Sequence, residues 1–180
     1  MAKTLHKQNI TPKNFLDCGS GTGLLGAAIR KTWPEIKITG MDFAADMLAQ
    51  SMMDGSADDT ILHNLMNSPW PVEDQSYDIV GAAAVINYAA DPHQFISDMA
   101  AVLKPGGYLV LSYLAGQEST QGLTDDGGRV YLWSKEKTEA CLVESGIELV
   151  SNRDTRSYSG RGSHRVDGVL MGIKFKTLSD

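Results

Sequence analysis

No apolar run in the 180 residues approaches the roughly 20 needed to cross a bilayer, and the first fourteen residues are polar, unlike a signal peptide. Cysteine is scarce too: Cys18 and Cys141 are the only two. That is too few for a disulfide framework and suits a reducing compartment, so a cytoplasmic chain is expected. Positive charge is not in excess, with 16 Lys and Arg against 22 Asp and Glu and a net charge of −6, which gives no support to a phosphate-binding, nucleic-acid-directed surface. His6, His63, His93 and His164 lack ligand spacing with the cysteines, so no metal site is expected. There is no internal repeat and no low-complexity tract. What remains is an ordinary apolar content of 42%, enough for one domain spanning 1–180, with 1–13 as an N-terminal tail.

The most informative stretch is FLDCGSGTG, Phe15 to Gly23. A short apolar strand runs into an acid and then into Gly19, Gly21 and Gly23, which admit positive φ and remove the Cβ atoms that would hold a ligand off the backbone. Residues 22–31 have helical spacing, so the loop opens a helix with its amide groups exposed. A dinucleotide fingerprint needs its third glycine where Leu24 stands, and no Gly-Lys-Ser/Thr follows. Asp17, beside the loop, would repel a pyrophosphate and attract a ligand with positive charge.

About twenty residues past the glycines, a second strand ends at Asp42, where α/β nucleotide folds place the carboxylate that accepts ribose hydroxyls. A nucleoside with a cationic, phosphate-free appendage satisfies both acids, and S-adenosylmethionine is such a molecule. With SYDIVGAAAVINYAAD and VLKPGGYLVLSY added to FLDCGSGTG and MDFAADML, the chain from Asn14 to Tyr113 resembles the class I S-adenosylmethionine-dependent methyltransferases, in their small-molecule branch.

The resemblance implies a Rossmann-like α/β three-layer sandwich with a seven-stranded, mainly parallel sheet in the order 3-2-1-4-5-7-6, its last strand antiparallel. The strands are expected at 15–18, 36–41, 60–63, 77–83, 108–113, 147–152 and 164–175, with 153–162 a polar connection and 115–130 a flap of lid length. The family pattern also implies site roles. Asp17, Gly19, Ser20, Gly21 and Gly23 would hold the methionine moiety, Asp42 the ribose, and Asn64 and Leu65 the adenine, with Phe43 a further cofactor contact. Met47 would reach the adenine or join the core. Asn64 departs from the acid usual at its position, leaving an uncharged carbonyl as acceptor. Ala83 would let the donor lie close to the end of strand 4.

Asn87 and Tyr88 follow, where relatives often carry a His or Tyr facing the methyl group; they touch substrate or pack the loop. His164, in SGRGSHR, is either a base or anion binder or part of a solvated basic turn. Tyr131 and Trp133 either stack on a substrate ring or form a hydrophobic cluster. Methyl transfer from a sulfonium leaves a neutral sulfur, so alignment can carry the reaction and no triad or metal is required. The expected function is methylation of a small molecule, with S-adenosylhomocysteine as product. The alternative is an accessory module whose substrate pocket is completed by a protein partner or homodimer covering the short N-terminus. Neither nucleic acid nor a membrane is expected as a partner.

Overall fold

The computed structural model describes residues 1–116, 120–123, 128–158 and 164–175. Its strands are β1 (Asn14–Cys18), β2 (Lys37–Asp42), β3 (Asp59–Leu62), β4 (Tyr77–Ala83), β5 (Leu103–Gly116), β6 (Thr120–Leu123), β7 (Arg129–Ser134), β8 (Ile147–Tyr158) and β9 (His164–Lys174). The helices are α1 (Ala2–His6), α2 (Leu24–Arg30), α3 (Ala45–Met53), α4 (Pro92–Val102) and α5 (Lys135–Glu144). A 3-10 turn covers Ile86–Tyr88.

The main sheet runs β3-β2-β1-β4-β5-β9-β8. Its first five strands are mutually parallel, and β9 pairs antiparallel with both β5 and β8. With β9 as the seventh strand and β8 as the sixth, this is the order that the resemblance implies. Side-chain alternation explains why helices are needed on both sides. Phe15, Ile38, Ile79, Val110 and Met171 face α1 and α2, where Leu5 and Ile29 are fully buried. Leu16, Met41, Val80, Leu111 and Leu170 face the opposite way into a larger core with Phe95, Ile96 and Met99 of α4.

Local chemistry sets the element ends. Asp91 caps α4 by accepting from the N–H groups of His93 and Gln94 at 3.0 and 3.1 Å, with Pro92 in the first turn. Ser134 caps α5 by accepting from Lys137 N–H at 3.2 Å. Gly146 follows α5 at φ 74°, as a helix stop requires. Asp78 ties the entry of β1 to the base of β4: it accepts from the N–H groups of Lys13 and Asn14 and pairs with Lys104 at 2.8 Å.

Three expectations are corrected. The polar stretch from Arg153 is strand, because β8 pairs with β9 from Arg153↔Val169 out to Tyr158↔His164; the ladder satisfies the backbone where the side chains gave no apolar signal. The described part of the expected 115–130 flap is sheet. Thr120–Leu123 pairs antiparallel with Arg129–Leu132, and Ala115 and Gly116 pair with Trp133 and Ser134; 117–119 and 124–127 lie outside the described residues. The expected N-terminal tail contains α1, pinned by Leu5.

Lys174 closes the far end of α4, its Nζ donating to the carbonyls of Ala100 and Leu103 at 2.6 and 2.8 Å. The Ala100 carbonyl also accepts from the Leu103 N–H, and a cation suits that end of the dipole. Replacing Lys174 by Met should lower the unfolding free energy by about 1–3 kcal/mol in urea denaturation. An unchanged midpoint would contradict this role.

Candidate active site

The parallel strands bring the carboxyl ends of β1, β2 and β4 together, the usual ligand position of an open α/β sheet. There the chain turns sharply after Cys18. Gly19 N–H donates to the Met41 carbonyl at 2.7 Å, Ser20 N–H to the same carbonyl at 3.2 Å, and Gly21 N–H to Asp42 Oδ2 at 2.9 Å. Gly19 must be glycine on two counts: its φ is 68°, and a Cβ would lie 2.3 Å from the Val85 side chain. A Cβ on Gly21 would meet nothing nearer than Met47 Sδ at 3.7 Å, so the bare backbone there opens onto space.

That space is a cleft of about 400 Å³, within the size range of small-ligand sites. Gly19, Gly21 and Asp42 form its floor, Phe43, Ala44 and Met47 one wall, and Asn64, Leu65 and Met66 the other. Ala83, Ala84, Val85 and Tyr88 close the side nearest β4. Phe43 is 75% exposed, so the face of its ring is open to a ligand in the cleft. Ala84 takes φ 59°, a strained value for a residue with a Cβ, and its N–H is held by Ser112 Oγ at 3.0 Å.

Of the residues expected to bind cofactor, Gly19, Gly21, Asp42, Phe43, Met47, Asn64, Leu65 and Ala83 line the cleft together. Asp17, Ser20 and Gly23 do not. Asp17 is 1% exposed and lies beneath the glycine loop, where its Oδ2 accepts from Gly26 N–H in α2 at 3.0 Å. Ser20 turns its hydroxyl toward Gly40 of β2, and Gly23 starts α2 against Ser56. Asp42 is 7% exposed, its Oδ1 accepting from Ala44 N–H at 3.0 Å while Oδ2 holds Gly21. Both acids thus also have structural work, each holding backbone N–H groups. Asn64 accepts from Met66 N–H through its carbonyl at 3.0 Å, so one lone pair is already committed.

The candidate catalytic residues separate. Asn87 is 2% exposed and faces away from the cleft: Oδ1 accepts from Leu114 N–H at 3.0 Å and Nδ2 donates to the Tyr131 carbonyl at 2.5 Å. It is a clasp between β5 and β7, which corrects its expected contact with substrate. Tyr88 is 57% exposed at the mouth of the cleft. His164 opens β9 opposite Tyr158; its side chain lies outside the described residues, as does Arg161. Tyr131 and Trp133 stack on each other at 5.4 Å, and Trp133 belongs to the core.

Asp17 Oδ1 and Ser20 Oγ are buried without a hydrogen-bond partner among the described residues. Burial pushes the Asp17 carboxyl up to about 7, opposed by the Gly26 N–H and assisted by the charge of Asp42. Burial, with Asp17 adjacent, also holds the Cys18 thiol well above its usual range, which leaves it inert.

Residues 16–111 match the methyltransferase domain family model. The chain belongs to that family. This methyltransferase domain is 28% identical to the biotin biosynthesis bifunctional protein BioHC of Teredinibacter turnerae, over 93% of the chain and 35% of that protein. It is 31% identical to the demethylmenaquinone methyltransferase of Deinococcus radiodurans, over 56% of the chain and 43% of that enzyme. The chain thus spans less than half the length of either curated relative. Its fold is shared with a SAM-dependent methyltransferase of Methanosarcina mazei at a TM-score of 0.79 and 16% identity, covering 97% and 98% of the two chains. S-adenosylmethionine is the cofactor of this family, and the cleft fits it: apolar walls for a base, an acid at the end of β2 for hydroxyls, and a bare glycine floor.

The raised Asp17 carboxyl gives a signed expectation. A carboxyl that binds its proton more tightly folded than unfolded stabilises the protein fully below its unfolded value of 3.8, and that contribution is lost as pH rises through about 7. Urea unfolding of the ligand-free protein from pH 5 to pH 8 should therefore show the wild type losing stability relative to Asp17→Asn as pH rises. A pH-independent difference would refute the assignment.

Proposed function

We propose that this domain transfers the methyl group of S-adenosylmethionine to a small-molecule acceptor. The observation that carries the reading is Asp42, nearly buried at the end of β2 and held by two backbone N–H groups at the floor of an apolar cleft. Each of its oxygens keeps a further lone pair for a ribose hydroxyl. Phe43, Met47 and Leu65 supply faces between which an adenine stacks, with Asn64 at its edge. The open floor of the Gly19–Gly21 turn receives the amino-acid end, while the three N–H groups of the turn are held by the Met41 carbonyl and Asp42. Asp17 acts from below the turn by orienting α2, since its 1% exposure bars direct contact as the loop stands.

The bound cofactor supplies an activated methyl group on a sulfonium whose departure leaves neutral sulfur. The protein's remaining task is alignment, for which proximity is worth on the order of 7–11 kcal/mol. Tyr88 orients the acceptor at the mouth, while Ala83 and Ala84 keep the end of β4 low enough for acceptor and methyl group to approach. A small acceptor is supported by the size of the cleft, by the net charge of −6 and by the quinone named for the Deinococcus relative. The apolar rim, with Phe43 75% and Tyr88 57% exposed, supports a cover supplied by the acceptor or by a second chain. Among the described residues no helix is long and apolar enough to cross a membrane.

Asp42→Ala removes the ribose acceptor and frees the Gly21 and Ala44 amides together. Equilibrium dialysis should show affinity for S-adenosylmethionine falling by about 10- to 100-fold, as loss of charged hydrogen bonds implies. Wild-type affinity in the variant would sink the assignment.

A further inference from the structure

Next to the cofactor cleft lies a second cavity, of about 270 Å³, between the loop that follows β3 and the first two turns of α4. Leu65, Met66 and Tyr88 line both spaces, so the two are neighbouring chambers with Tyr88 at their boundary. The second chamber is otherwise walled by Ala89, Ala90 and the buried ring of Phe95.

Its polar lining is unusual. Asp91, Gln94 and Asp98 face it, and no Lys or Arg is among its lining residues. Asp98 is only 9% exposed. Its Oδ1 accepts from Ser68 Oγ at 2.8 Å and from Gln94 Nε2 at 3.2 Å, whereas Oδ2 makes no hydrogen bond or ion pair among the described residues. Oδ2 thus stays accessible on an otherwise largely enclosed side chain that lines the cavity, free to accept from a cationic donor. Asp91, whose Oδ1 caps α4, adds negative charge without neutralising any. Apolar walls around an acidic end describe a site for an ammonium group on a compact apolar body, and they repel carboxylates and phosphates.

We propose that this chamber is the acceptor's recognition subsite, and that Asp98 binds the cationic nitrogen of an amine-bearing small molecule whose methyl-accepting atom reaches past Tyr88 into the cleft. The proposal rests on the methyltransferase reading above and deepens it, adding the acceptor's charge and the residue that reads it.

The test titrates the full chain, saturated with S-adenosylhomocysteine, with three probes of one shape: phenethylamine, 2-phenylethanol and 3-phenylpropionate, followed by protein-observed NMR. The amine should bind about tenfold or more tightly than the alcohol, and the carboxylate not at all. Asp98→Asn, which keeps both acceptor contacts of Oδ1, should erase that preference and leave S-adenosylhomocysteine affinity unchanged. Gln94→Lys, at an exposed helix position, should erase it as well by placing a resident cation beside Asp98. Cofactor-product binding without an amine preference, or a preference that survives either variant, overturns the subsite alone. Failure of S-adenosylhomocysteine to bind overturns the methyltransferase reading on which it rests.

Discussion

The site depends on one carboxylate gripping two backbone amides. Asp42 stands at the end of β2 and takes the N–H of Gly21 with one oxygen and that of Ala44 with the other. The first bond draws the glycine turn against the second strand; the second fixes where α3 starts, and so where Phe43 and Met47 stand. Asp17 performs the matching task on β1, taking Gly26 N–H and anchoring α2. Charged acceptors of backbone N–H groups are stronger than neutral ones, which suits a turn whose φ angles at Gly19 and Gly21 are 68° and 52°. Floor, walls and helix starts are therefore positioned by two acids at the ends of neighbouring strands.

On the side toward β4 the organising residue is amide rather than acid. Asn87 joins β5 to β7, and the Trp133 indole donates to the Ile86 carbonyl at 3.3 Å, so the turn carrying Tyr88 is fastened from beneath by buried groups. Tyr88 itself stays exposed between two chambers of unlike chemistry. A rigid support beneath an exposed aromatic is what an alignment-driven reaction needs, since small misplacements are costly when proximity supplies most of the rate.

Much of this was legible in the sequence. The glycines at alternate positions, Asp42 closing an alternating strand and the apolar spacing of α4 are local signals with one physical reading each, and Tyr77–Ala83 is strand as expected. What was not legible is direction. Ser20 faces Gly40 and Asn87 faces the β5–β7 seam because of where their turns point, which residue type does not reveal. The length of β8 depends on its partner β9 rather than on its own polar side chains. Asp98 gives no such signal, because a charge between Ile96 and Met99 in a helix reads as a solvated face, and it is the loop at Ser68 that packs over it.

Isothermal titration calorimetry of the full chain with S-adenosylhomocysteine, with NAD as control, tests most directly whether the cleft is a sulfonium-nucleoside site. Saturable binding of one molecule per chain at micromolar concentrations is expected, with no heat from NAD. Silence toward S-adenosylhomocysteine, or NAD binding in its place, would contradict the role assigned to Asp42 and to the glycine turn it holds.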